Sequence, residues 1–308
     1  MSIFVEFDQS VYSKNAIDGF TANSAFSLDN ARAMMWLSQL AYETAHEDKV
    51  TTVLNRWTLT KRKFISNDPR SGLPPHSACV VVAEGRGAMF VTFAGSDPGK
   101  GIDWATDFQA LPTPAGLHSG FDAAVDTVWP MIQPVIEGHT PGEPVFFTGH
   151  SLGGALAILA AARAAHLPNP PRIVVYTFGS PRNGGSDLFS DYTPRLGDST
   201  FRLIHGSDIV PTVPPTLLGG YLHVGRAIQC TSGGFFDPST IMPKEGNKPD
   251  PIESAIASGI SAIQAAAIFQ PFHIIGPGFR NLLESFLPGM IQDHVPTNYF
   301  RALSITVP

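Results

Sequence analysis

Apolar positions along this chain follow two alternating rhythms. Short runs with few polar interruptions recur: ACVVVAEG (78–85), GAMFVTFAG (87–95), PVFFTGH (144–150), RIVVYTFG (172–179), TFRLIHGSD (200–208) and YLHVGRAIQC (221–230). Each is short enough for a strand and rich in β-branched or aromatic residues. Longer stretches read as helices. SLDNARAMMWLSQLAYETAHE (27–47) predicts an amphipathic helix with Ser27 or Asp29 near its start. SGFDAAVDTVWPMIQPVIEG (119–138) predicts a helix that Pro130 and Pro134 interrupt or end. A further helix is expected from Leu152 to about His166.

The first two strand-like runs flank a Gly-containing turn and predict a hairpin-like pair. Thereafter strand and helix alternate, which predicts an α/β fold with one mostly parallel sheet and helices on both faces. After Thr231 the rhythm loosens. SGGFFDPSTIMPKEGNKPDP (232–251) reads as a long loop, and an alanine-rich helix follows over 252–269. There is no internal repeat. The 308 residues allow a large core and are read as one domain over 1–308, with a less typical insertion over about 232–277.

Composition narrows the function classes. The chain is 43% hydrophobic and 15% charged, with net charge −6 and no basic run, which argues against a nucleic-acid partner. The start, MSIFVEFDQS, has neither a basic beginning nor a long apolar core, so no ordinary secretion signal is visible and a cytoplasmic compartment is the default expectation. The 252–269 segment carries Ser, Gly and Gln among its alanines, so no integral membrane span is expected. Its apolar residues go nearly all round, which favours burial over an interfacial or covering role. Cys79 and Cys230 sit in apolar runs and read as buried thiols, with one disulfide as the alternative. No metal cluster, cofactor motif or nucleotide loop is evident. Gly153-Gly154 follow a serine and lack the lysine of a phosphate loop.

The candidate chemistry lies at Gly149-His150-Ser151-Leu152-Gly153, a G-x-S-x-G pentapeptide with a strand before it and a helix after it. That context turns a modest motif into a nucleophile elbow. Glycines let neighbouring backbone approach the turn, and the helix N-terminus aims free N–H groups at the reacting centre. Ser151 is the candidate nucleophile, and the N–H of Leu152 a candidate oxyanion donor. His150 is adjacent, but neighbours at such a turn point in different directions, so it is not expected to be the base.

TGHSLGGALAIL resembles the class 3 lipases, the fungal-type triacylglycerol lipase family on the α/β-hydrolase fold. MFVTFAGS, GIDWATDF, GLHSGFDAAVDTVWP, VVYTFGSPRNG, HGSDIVPTVPP and DHVPTNYF are similar to that family's segments in the same order. The resemblance runs from about Asp29 to Tyr299, with no clear counterpart for about 232–277. Ala94 departs from an arginine common in the family, the Ser96–Trp104 spacing is slightly longer, and so is the gap from acid to last histidine.

A serine hydroxyl needs a base and the base an orienting acid, in the chain order Ser, acid, His on this fold. Asp208, on the loop after a strand, is the candidate acid. Asp187, Asp191 and Asp198 read as turn or capping residues. His205, His223, His273 and His294 all follow Ser151. His205 and His223 lie in strand-like runs, so the late, loop-like His294, which carries the resemblance, is the candidate base with His273 in reserve. The second oxyanion donor is expected from Ser96, at the end of an earlier strand. The resemblance further implies a lid over about 96–110 with Trp104 as its apolar cover, and Asp107 holding the Ser96 hydroxyl. FFDPST and FLPGMI are candidate linings of an acyl groove.

Together these imply a serine ester hydrolase, a lipase acting through an acyl-enzyme on a lipid or ester at an oil–water interface, without cofactor. A phospholipase A1 or a short-chain or feruloyl-type esterase on the same scaffold is the alternative, and a non-catalytic lipid-binding module the one from another class. The resemblance also makes export plausible.

Overall fold

The computed structural model describes residues 7–66, 72–73, 77–95, 116–214, 220–242 and 292–307. Seven strands form one sheet in sequential order: β1 (Thr60–Ile65), β2 (Val80–Gly85), β3 (Ala88–Phe93), β4 (Pro144–His150), β5 (Arg172–Phe178), β6 (Thr200–His205) and β7 (Arg226–Cys230). β1, β2 and β3 pair antiparallel, and β3 through β7 are parallel.

The apolar runs make sense in this sheet. All six residues of β3 and all seven of β4 are buried, as expected of strands covered on both faces. Phe146 points into one core and Phe147 into the other. Each such ring contributes roughly 1.5–3 kcal/mol on burial. The outer strand β1 instead reads TKRKFI and carries three successive cations, Arg62 exposed and Lys61 and Lys63 half-buried, which discourages pairing with another chain.

One face carries α1 (Leu28–Leu40), α2 (Glu47–Arg56) and α6 (Pro296–Ala302). The other carries α3 (Ser119–Glu137), α4 (Leu152–Ala164) and α5 (Ser186–Leu196). Ser27 caps α1, its side chain accepting the Asn30 N–H, whereas Asp29 pairs with Arg32. α1 is shorter than the sequence pattern suggests, and ten of its thirteen residues are buried, so it is less amphipathic than expected. It stops because Tyr42 and Glu43 turn inward. Glu43 accepts from Tyr12 Oη at 2.7 Å and pairs with Lys49 at 2.8 Å. The separate α2 follows.

α3 runs through both Pro130 and Pro134, contrary to the expected break. Its core contacts come from Phe121, Val125, Val128, Ile132 and Ile136, and both prolines lie on the exposed side. The carbonyls they leave without an N–H partner face water, so the helix tolerates them. The 221–230 run is strand only from Arg226, so His223 lies outside the sheet. Cys79 and Cys230 are both buried and do not form a disulfide.

Candidate active site

The register brings the C-terminal ends of four parallel strands together: Phe93 pairs with Gly149, His150 with Phe178, and Phe178 with Leu203. Such an edge is where open α/β sheets place their ligands. Ser151 stands between β4 and α4 with φ 59° and ψ −132°. A non-glycine residue there is strained, and the strain lifts its side chain off the sheet. The turn closes because Gly153 has no side chain: a Cβ would sit 2.3 Å from the Phe93 carbonyl oxygen at the end of β3. Leu152 opens α4, so its N–H belongs to the first turn, which lacks intrahelical acceptors.

Three side chains from distant parts of the chain meet here. Ser151 Oγ lies 2.8 Å from His294 Nε2. His294 Nδ1 lies 2.9 and 2.8 Å from the two oxygens of Asp208. A carboxylate only accepts, so the proton sits on Nδ1 and Nε2 is left to accept from the serine hydroxyl. Asp208 is buried and also accepts from Tyr299 Oη at 2.6 Å and from the Val210 N–H at 2.9 Å. Burial, then the Asp208 charge, holds the Tyr299 hydroxyl protonated well above the usual tyrosine range, so it remains a donor.

His150 does not address the serine. Its Nε2 lies 2.8 Å from the His294 carbonyl oxygen and its Nδ1 2.8 Å from Tyr42 Oη. The carbonyl must accept, so Nε2 carries the proton and Nδ1 receives the tyrosine O–H. Its ring stacks on that of His294 at 4.7 Å.

The family model for Lipase (class 3) matches residues 90–218, which hold most of β3, the serine elbow and Asp208. The likeness to that family thus lies in this segment of the chain. The chain is 35% identical over 130 residues to a secreted mono- and diacylglycerol lipase of Fusarium solani, covering 39% of this chain and 38% of that protein. It is 38% identical over 123 residues to a lipase of Rhizopus niveus, covering 39% and 30%. The matches thus span about a third of those relatives' length. A triacylglycerol lipase described as having a serine protease triad at its catalytic centre aligns with TM-score 0.60 at 23% identity, over 77% of this chain and 92% of that one. The lipase of Rhizopus microsporus var. chinensis aligns with TM-score 0.57 at 19% identity, over 82% and 92%. These two establish the α/β-hydrolase fold.

The sequence-predicted Ser151, Asp208, His294 and Leu152 lie together. Ser96, Trp104, Asp107 and His273 lie outside the described residues, as do the expected lid over about 96–110, the helix over 252–269 and FLPGMI. Of FFDPST, Phe236 is in the core and stacks on Tyr299, whereas Phe235 is 63% exposed. Among the described residues no helix is long and apolar enough to cross a membrane, and no cluster of three metal-ligating side chains occurs. Sequence reasoning missed Tyr299, Tyr42 and the structural role of His150. Tyr299 is five residues after His294, within the same quoted segment, but nothing local marks its hydroxyl as a partner of Asp208.

Two buried histidines are expected to make the fold acid-sensitive. Burial, then the nearby His294, holds the pKa of His150 well below the ordinary imidazole value; burial, then the Arg202 and Arg182 charges, does the same for His223. Unfolded, both protonate near about pH 6.5, so the folded state binds fewer protons below that pH and stability falls as pH drops. Each histidine is expected to remove about 1.4 kcal/mol per pH unit until its folded pKa is reached. Urea unfolding at about pH 7 and again near 5.5 checks this. Equal stability at the two values would contradict it.

Proposed function

We propose that this chain is a serine-dependent carboxylic ester hydrolase, a lipase that cleaves triacylglycerols through an acyl-enzyme on Ser151. The observation that carries the reading is the continuous line Ser151 Oγ, His294 Nε2, His294 Nδ1, Asp208, with each gap at hydrogen-bond length. Ser151 Oγ attacks the ester carbonyl carbon as His294 takes its proton, and Asp208 stabilises the imidazolium. The oxyanion is held by the N–H of Leu152 and by that of Ser96. In support of the second donor, Gly95 packs against the nucleophile: a Cβ there would lie 3.2 Å from the Ser151 Cβ. His294 returns the proton to the leaving alcohol, then activates a water that frees the acid. Each oxyanion donor is worth about a hundredfold or more in kcat.

The relatives named as lipases support a lipid ester as substrate, met at an oil–water interface. The segment over about 96–110, with Trp104 and Asp107, serves as lid in this reading, and residues 1–308 as one hydrolase domain. In support of the latter, α6, near the end of the chain, packs on the same sheet face as α1. Fatty-acid release from tributyrin through triolein, beside a phospholipid, tests the substrate class. Hydrolysis of the emulsified long-chain triglycerides is expected. Turnover of soluble short esters only would make it an esterase, and preference for the phospholipid a phospholipase.

A further inference from the structure

We propose that Asp293 is a positioning residue for this reaction: a second buried carboxylate that clips the His294 segment to the turn carrying Asp208. The inference rests on the reading of His294 as the base. Two neighbours face two neighbours here. His294 hydrogen-bonds to Asp208, and the preceding residues pair as well, the Ser207 N–H donating to Asp293 Oδ2 at 2.8 Å. The base and the acid are therefore registered twice, once through their reacting side chains and once through a bond that takes no part in proton transfer.

Two further groups converge on the same carboxylate. Ser232, just beyond β7, donates its hydroxyl to Asp293 Oδ2 at 2.5 Å. His205, the last residue of β6, places Nδ1 at 3.2 Å from the Asp293 carbonyl oxygen and 3.3 Å from Oδ1. The Gly233 N–H points at His205 Nε2 at 3.3 Å, so Nε2 accepts and the ring proton sits on Nδ1, facing Asp293. The turn is shaped to admit the carboxylate. Gly206 has φ +55°, and a Cβ there would stand 2.4 Å from both Asp293 Oδ2 and Ser232 Oγ.

A buried carboxylate is costly unless hydrogen-bonded, and an apolar side chain would pack the same space at lower cost. What the carboxylate adds is direction: it gathers donors from the ends of β6 and β7 and fixes the backbone one residue ahead of His294. Among the described residues, the other groups that hold the His294 segment are Asp208, His150 and Asn298, which donates to the Gln292 carbonyl, and none of these fixes the backbone of residue 293 to the Asp208 turn. A misplacement of about 1 Å at a reacting group costs about a hundredfold in rate.

The test uses the full chain with Asp293→Ala and Asp293→Asn, assayed on p-nitrophenyl butyrate, with working sites counted by fluorophosphonate titration. For Asp293→Ala, kcat per titrated site is expected to fall about a hundredfold while KM stays within about twofold, because alignment and not substrate binding is lost. Asp293→Asn keeps an oxygen for the Ser207 N–H but turns its amide toward His205, so it is expected to retain more activity, within about tenfold of wild type. Wild-type kcat per site in Asp293→Ala, even with a lowered melting temperature, would make the residue merely structural and overturn the proposal. Should Asp293→Ala not fold, Asp293→Asn decides alone, and full activity overturns it. A wild-type protein that neither reacts with the phosphonate nor hydrolyses the ester would instead sink the parent reading, and this inference with it.

Discussion

Ser151→Ala is expected to lower kcat on any ester by about 10⁵–10⁶-fold, the loss seen when a serine nucleophile of this type is removed. Among the described residues no other nucleophile faces His294 Nε2, which meets the Ser151 hydroxyl at 2.8 Å, and His150 is committed to a backbone carbonyl. The fold should hardly change. Ser151 Oγ has this single described partner, and alanine meets the same backbone demand at φ 59°. One lost hydrogen bond is worth about 1 kcal/mol. Purified wild type and variant, compared on emulsified tributyrin with unfolding monitored in parallel, decide the matter. Comparable activity in two equally folded proteins would reduce GHSLG to a turn and bring the lipid-binding module forward.

Asp208→Asn should cost about 10⁴-fold in kcat with the geometry nearly intact, through the wrong imidazole tautomer. Every neighbour of Asp208 is a donor. Oδ1 receives the Val210 N–H, Oδ2 receives Tyr299 Oη, and both lie within 2.9 Å of His294 Nδ1. An asparagine must turn its NH₂ toward one of these. Tyr299 Oη already accepts the His205 N–H at 3.2 Å and its hydroxyl can rotate, whereas the Val210 N–H cannot. The amide oxygen therefore goes to Val210 and the NH₂ faces His294. Nδ1 then becomes an acceptor, the proton moves to Nε2, and the ring no longer takes the serine proton. Steady-state kinetics near pH 7 test this. A loss under about tenfold would mean that another group orients His294.

Much of this architecture is legible in the sequence because its causes are local. A strand covered on both faces needs a continuous apolar run, so β3, β4 and β5 could be read one at a time. The elbow needs small residues within a few positions of Ser151, and GHSLGG supplies them in order. Asp208 follows a strand closely, so its place at the sheet's C-terminal edge follows from counting.

Other features depend on what lies opposite, and only the tertiary structure decided them. α1 ends at Leu40 because Glu43 meets Tyr12 and Lys49 in the fold, and α3 passes through two prolines because its water-facing side happens to carry them. The pairing of His294 with residues 143 and 86 positions away, the donation from Tyr299, and the clip through Asp293 all arise from contacts between distant segments. Periodicity reports which side of an element is buried. It carries no record of which polar groups will meet once the chain has closed, and in this protein the orientation of the His294 ring rests on those meetings.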